Sequence, residues 1–307
     1  MSTTTILEPG QIEATAGDIP ALLTPPADLF ASRARRLRQL ASGHSLADYL
    51  HFIARLADAQ HAALRSISAP LPAAAFLARC SEHQMPPLAP AGWRRDPAWL
   101  QVLDELVKTM MTDAPAPART ALQGLTDKGH DWAEAQADLL LGGNFDGLDM
   151  ACAPLIGAAL QVYWTHLSRS LRPEQVALPE QPNLCPVCGS HPVASVVRIG
   201  GNVSGLRYLQ CTLCSSEWHV VRAKCSNCDN TRDISYYNIE ADAGVVRAES
   251  CPECQSYLKV VHMDKDPHAE ACADDLASFA LDWLMGEQGL GRNGINLLML
   301  HGADGGA

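Results

Sequence analysis

Four C-x-x-C pairs between Cys185 and Cys254 constrain this chain more than any other feature. Cys185/Cys188, Cys211/Cys214, Cys225/Cys228 and Cys251/Cys254 take up eight of the eleven cysteines, and the second set of four lies 40 residues after the first at every position. Two thiolates separated by two residues can turn onto one tetrahedral ion, with amides of the tight turn pointing at the sulfurs. One such turn is half a site, and two turns joined through a β-hairpin close a four-cysteine cage. The spacing therefore predicts two cages.

Four half-sites can combine in three ways. Sequential pairing puts Cys185, Cys188, Cys211 and Cys214 on one ion and Cys225, Cys228, Cys251 and Cys254 on the other, with 22 residues inside each site and 10 between the sites. The repeat reaches beyond the ligands: Val196, Val197 and Ile199 correspond to Tyr236, Tyr237 and Ile239, and Val220 and Val221 to Val260 and Val261. The duplicated unit is thus a self-contained folded module that closes its own cage. Four thiolates suit zinc and iron alike. An Fe–S cluster and thiol redox exchange are further readings, disfavoured because mononuclear cages use this geometry more commonly and because four duplicated pairs do not suit a reactive dithiol.

Composition narrows the field. At 307 residues, 47% hydrophobic and 19% charged, the chain has the makings of a globular protein of about two domains. A net charge of −11 opposes nucleic-acid binding, and Cys185 to His262 carries seven basic and seven acidic residues, so no basic face is available. Residues 1–18 lack the basic start and apolar core of a secretory signal, and the apolar run Met150 to Trp164 is too short to span a bilayer. The expected home is the cytoplasm, where paired thiols read as metal ligands before disulfides.

The expected fold is α+β and multidomain: an all-α N-terminal domain, two tandem rubredoxin-like or zinc-ribbon-like small β modules, and a C-terminal helix. Its boundaries are a flexible lead over 1–23, the helical domain over 24–170, a Pro-bearing linker over 171–184, module 1 over 185–223, module 2 over 224–265, and a helix with tail over 266–307. Helical spacing marks Leu29 to Leu40, a capping-box-like start at Ser45 leading to Leu64, and stretches at 73–80, 97–111, 118–125, 130–141 and 149–168. Arg33, Arg35, Arg36 and Arg38 form a face expected to be solvated. Trp99, Trp132, Trp164, Met110, Met111, Cys80 and Cys152 read as packing residues, and His51, His61, His191 and His219 as surface or packing groups. The run Ile295 to Leu300 should pack somewhere, and 302–307 should be loose. No nucleophile elbow, phosphate loop, dinucleotide fingerprint or H-E-x-x-H is present, and a cage with four cysteines leaves no open position for Lewis-acid chemistry, so no catalytic residue is assigned.

Text between the cysteines adds what spacing cannot. The runs Cys185-Pro-Val-Cys-Gly-Ser, Gly205-Leu-Arg-Tyr-Leu, Glu217-Trp-His-Val-Val-Arg, Lys224-Cys-Ser-Asn-Cys, Ala248-Glu-Ser-Cys, Tyr257-Leu-Lys and Ala273-Asp-Asp-Leu-Ala-Ser resemble the FdhE family of formate dehydrogenase accessory proteins. The likeness is dense from Cys185 to about Asp282 and looser through Phe30 to Leu40 and Tyr49 to Gln60. It implies a cytoplasmic, non-catalytic factor that matures respiratory formate dehydrogenase and binds its catalytic subunit before export. It also implies metal held by all eight paired cysteines as two mononuclear ions, with iron favoured and zinc the other possibility. The alternative function is a rubredoxin-like electron carrier with two iron sites.

Overall fold

Helices occupy the first half of the chain because apolar residues recur there at three- and four-residue spacing, and strands the second because β-formers flank the cysteine turns. The computed structural model describes residues 19–91, 94–179, 183–222, 224–239 and 244–300. Its helices are α1 (Leu29–Ala41), α2 (Ala47–Ser66), α3 (Ala74–Glu82), α4 (Ala98–Met111), α5 (Ala116–Leu141) and α6 (Ala153–Arg169), followed late in the chain by α7 (Ala271–Ala277) and α8 (Phe279–Glu287). The two expected helices, 118–125 and 130–141, lie on either side of a break within α5 at Gly129, where φ is +76°. Only glycine enters that region freely. The start of α2 lacks a side-chain cap; the Leu46 amide instead donates to His44 Nδ1 at 3.0 Å.

Around α6 the packing is nearly complete. Leu155, Ile156, Leu160, Trp164 and Leu167 are buried on α6, which packs against α2, α4 and α5, and Phe30, Leu50, Trp99 and Met110 belong to the same core. Cys80 and Cys152 are buried as packing residues, and Trp132 and Met111 border the core as partly buried groups. Among the described residues no helix is long and apolar enough to cross a membrane.

The strands are β1 (Leu22–Leu23), β2 (Pro192–Val197), β3 (Arg207–Cys211), β4 (Glu217–Val220), β5 (Ser235–Tyr237), β6 (Val246–Cys251), β7 (Ser256–His262) and β8 (Gly291–Arg292). They form one sheet in the order β1-β4-β3-β2-β7-β6-β5, with β8 also on β7. Each module contributes an antiparallel meander, β2-β3-β4 or β5-β6-β7. The first strand of one pairs in parallel with the last strand of the other, Val196 opposite Val261. The two zinc-ribbon-like modules are present, but they are not self-contained. A meander of three strands leaves both edges unpaired, and joining head to tail satisfies one edge of each.

Residues 1–18, the greater part of the expected lead, lie outside the described residues; Leu22 and Leu23 pair with Trp218 and Glu217 in the sheet. Of the tail, 301–307 lie outside them too, while Leu297 and Leu298 are buried in the main core. A Cβ on Gly157 would meet the Leu297 carbonyl oxygen at 2.9 Å. Within the tail, Gly294 holds φ at +99°, and a Cβ there would collide with the Pro192 carbonyl. Gly294→Ala should therefore destabilise the protein by about 2–3 kcal/mol, combining left-handed strain with overpacking. Chemical denaturation of the two proteins measures it.

The arginine face departs most from expectation. Arg35 and Arg38 are exposed, but Arg33 and Arg36 are buried. Arg36 spans Asp274 and Asp266 at 2.6 Å each, and Arg33 reaches Glu270 at 3.1 Å. These partners lie more than 200 residues away, on α7 and the loop before it, and periodicity within α1 cannot reveal a cover that distant. The C-terminal segment is thereby clamped to the helices on one side and to the sheet on the other, where Leu281 and Met285 join Val196, Ala248 and Val261 in a second, smaller core.

Candidate metal centre

The backbone of each C-x-x-C turn is built twice. In the first turn of module 1 the Cys185 amide donates to the Ser190 carbonyl at 2.9 Å and the Gly189 amide to the Cys185 carbonyl at 2.7 Å. In module 2 Cys225 donates to Asn230 at 2.8 Å and Asp229 to Cys225 at 3.2 Å. Positive φ follows the same 40-residue offset: Gly189 at +72° with Asp229 at +65°, and Ser215 at +58° with Gln255 at +51°. Three of these four are not glycine, so the turn accepts a strained conformation, costing about 1–2 kcal/mol each, to aim its amides inward. Leu213 and Cys214 amides point at Cys211 Sγ at 3.4 Å, and the Asn227 amide at Cys225 Sγ at 3.4 Å.

Four sulfurs converge in each module. Cys185 Sγ lies 3.5 Å from Cys214 Sγ and Cys188 Sγ 3.3 Å from Cys211 Sγ; in the second set Cys225–Cys254 is 3.7 Å and Cys228–Cys251 is 3.6 Å. All four ligand atoms of each set lie within 4.8 Å of one another. A tetrahedron with bonds of about 2.3 Å has edges of about 3.8 Å, close to this spacing. Grouping follows the sequential pairing, and each set can hold a metal ion.

Electrostatics argues for a cation. Burial pushes the Cys185 and Cys211 thiols well above their ordinary value, while Cys188, against the same burial, is held low by hydrogen bonds from Cys185, Cys211, Cys214 and Ser190. In the second set burial pushes Cys225 up to about 12, and hydrogen bonds from Ser256 and Cys228 hold Cys254 at about 7 against it. Four thiols this close together cannot all ionise without a positive charge among them, and a divalent ion would supply it.

The environments of the two sets differ. Cys185, Cys188, Cys211 and Cys214 are all buried within the main core. The helical part grips both of their turns: Gln161 Nε2 donates to the Thr212 carbonyl at 2.8 Å, Ser168 Oγ to the Cys214 carbonyl at 3.0 Å, and the Leu88 amide to the Val187 carbonyl at 2.8 Å. Trp164 Nε1 in turn holds the Leu88 carbonyl at 2.9 Å. In the second set Cys228 is exposed and Cys254 half-buried, and neither appears in a hydrophobic core.

No histidine joins either group among the described residues. His219 packs edge-on against Tyr208 at 5.5 Å, and burial lowers its pKa; His191 is exposed. His51 is exposed, and Asp58 pairs with Arg38 rather than with His61. Sequence reasoning missed Gln161 and Ser168. The one available signal was the presence of amides and hydroxyls inside an apolar run, because such groups are kept there only with a partner.

Comparison with known proteins agrees along the whole chain. Family models described as FdhE N-terminal, FdhE central domain and FdhE C-terminal domain match residues 19–180, 184–222 and 223–299. The chain belongs to the FdhE family. A "Protein FdhE homolog" of Pseudomonas aeruginosa is 45% identical, over 98% of this chain and 99% of the relative. The homologue of Edwardsiella ictaluri is 43% identical over 93% of each. The crystal structure of the FdhE protein from Pseudomonas aeruginosa superposes with a TM-score of 0.84 at 44% identity, covering 94% of this chain and 100% of that one. Cysteine sets and helical scaffold thus sit on a fold already seen by crystallography in an FdhE protein.

Proposed function

We propose that this protein is a cytoplasmic accessory factor for respiratory formate dehydrogenase, that it binds the enzyme's catalytic subunit before export, and that it catalyses no reaction itself. The observation carrying this reading is membership of the FdhE family over essentially the full chain together with two intact four-cysteine sets. Cys185, Cys188, Cys211 and Cys214 hold one ion and Cys225, Cys228, Cys251 and Cys254 another, iron in preference to zinc. A filled four-cysteine cage has no vacant position for substrate, which supports a binding role. Deleting the gene should abolish respiratory formate oxidation, and affinity capture of the native protein from anaerobic cells should bring down the catalytic subunit. Unchanged formate oxidation in the deletion strain would sink the proposal.

A further inference from the structure

The two cages repeat the same backbone but not the same surroundings, and this difference bears on how each would keep its ion. In the first, every cysteine is at most 1% exposed, Cys188 and Cys214 not at all, and three hydrogen bonds from the helical part hold the turns on both sides. Opening it requires α6, the loop at Leu88 and the sheet to separate together. The Thr212 hydroxyl further fastens its second turn to the tail, at 2.7 Å from the Ile295 carbonyl.

The second cage is held by residues of the sheet and by the tail, whose Gly291 amide donates to the Gln255 carbonyl at 2.9 Å. Asn227 Nδ2 reaches Ser256 at 3.3 Å, Asn230 Nδ2 reaches Cys251 Sγ at 3.5 Å, and Arg207 donates to the Lys224 carbonyl at 3.2 Å. Among the described residues no side chain of α1 to α6 bonds to its turns. The strand that follows its first turn, β5, has three exposed residues and pairs on one side only. Of the eight cysteines Cys228 alone is exposed. A turn with few buried contacts opens at a small fraction of the global unfolding free energy.

We infer that the cages are functionally unequal: the first is a permanent joint between helices and sheet, and the second is an exchange site that takes and releases its ion through Cys228, against soft ligands such as thiols. Exchange there is a substitution. With an ion bound, Cys228 would be the ligand that an incoming thiol displaces, its sulfur taking up the proton the thiol gives up, so charge and electrons balance without an oxidant. Ser168 and Gln161 act at the other cage as positioning residues, keeping the peptide groups of its second turn in place.

This inference rests on the assignment of all eight cysteines as ligands, and one experiment separates the two. Full-length protein isolated anaerobically is mixed with a chromogenic pyridylazo chelator, and metal release is followed in time. Two phases of one ion each are expected, the fast one at least about tenfold faster, equivalent to ~1.4 kcal/mol of barrier. Cys228→Ser should abolish the fast phase and leave the slow one, whereas Ser168→Ala should speed only the slow phase. Brief treatment with N-ethylmaleimide, read by peptide mass mapping, should modify Cys228 as one ion is released. A single phase for both ions, or first labelling at Cys185, Cys188, Cys211 or Cys214, would overturn the inequality while leaving the ligand assignment standing, and a fast phase that survives Cys228→Ser would overturn both the exchange role of Cys228 and its place among the ligands. Protein that never holds metal would overturn both.

Discussion

Cys211→Ser should cost the protein one ion and most of its folded population. Cys211 ends β3, lies 1% exposed in the main core, and begins the turn that Gln161, Ser168 and the Ile295 carbonyl all hold. A structural four-thiolate site contributes on the order of 10 kcal/mol to folding, comparable with the whole stability of a domain. Because this cage is embedded between α6 and the sheet, its loss cannot stay within module 1. Circular dichroism and metal analysis on the variant should show a broad or absent thermal transition. Cys228→Ser is the matched control: one ion lost as well, but with α-helical signal and the main transition retained, since the turn it belongs to touches neither hydrophobic core. Equal damage from the two substitutions would contradict the embedded position of the first cage.

Lys259→Met should cost about 3–5 kcal/mol, the penalty of removing one member of a buried ion pair. Lys259 is fully buried on β7, with Nζ 2.5 Å from Asp282 and 3.2 Å from Asp275, and it also donates to the Asp275 and Ser278 carbonyls. Without it, Arg292 alone faces two buried carboxylates, at 2.6 Å and 3.3 Å, and the α7–α8 cover loses its hold on the sheet. Urea unfolding measures the loss. Its pH dependence has a definite sign. Burial would raise Asp275, but Arg292 and Lys259 outweigh it and hold this carboxyl at about 2, below its ordinary 3.8. A depressed carboxylate pKa adds stability that is present above pH ~4 and lost as pH falls toward ~2. The gap between wild type and Lys259→Met should therefore narrow across that acid window, and a gap that widened there would contradict the assignment.

How much was legible beforehand depends on the range of the interaction. Cysteine grouping, strand positions near the turns and most helix positions rest on contacts between residues close in sequence, which spacing reports directly. The break at Gly129 was legible too: helical spacing stops at Leu125 and resumes at His130, and the glycine between them is non-helical at φ +76°. Arg33 and Arg36 illustrate the far limit. Their charges suggested a wet face, and only carboxylates brought from Asp266, Glu270 and Asp274 make their burial tolerable.

The amino-acid sequence by itself determined that eight cysteines form two sets, that each set is part of a duplicated β module, and that a helical region precedes them. Those properties are written in local spacing and in an exact 40-residue repeat. The tertiary structure decided that the modules share one sheet, that α6 and the tail enclose the first set, and that the second set is left open at Cys228. A repeat makes two sites chemically alike, whereas their burial depends on what the rest of the chain packs against each, and that packing is carried by contacts between distant residues.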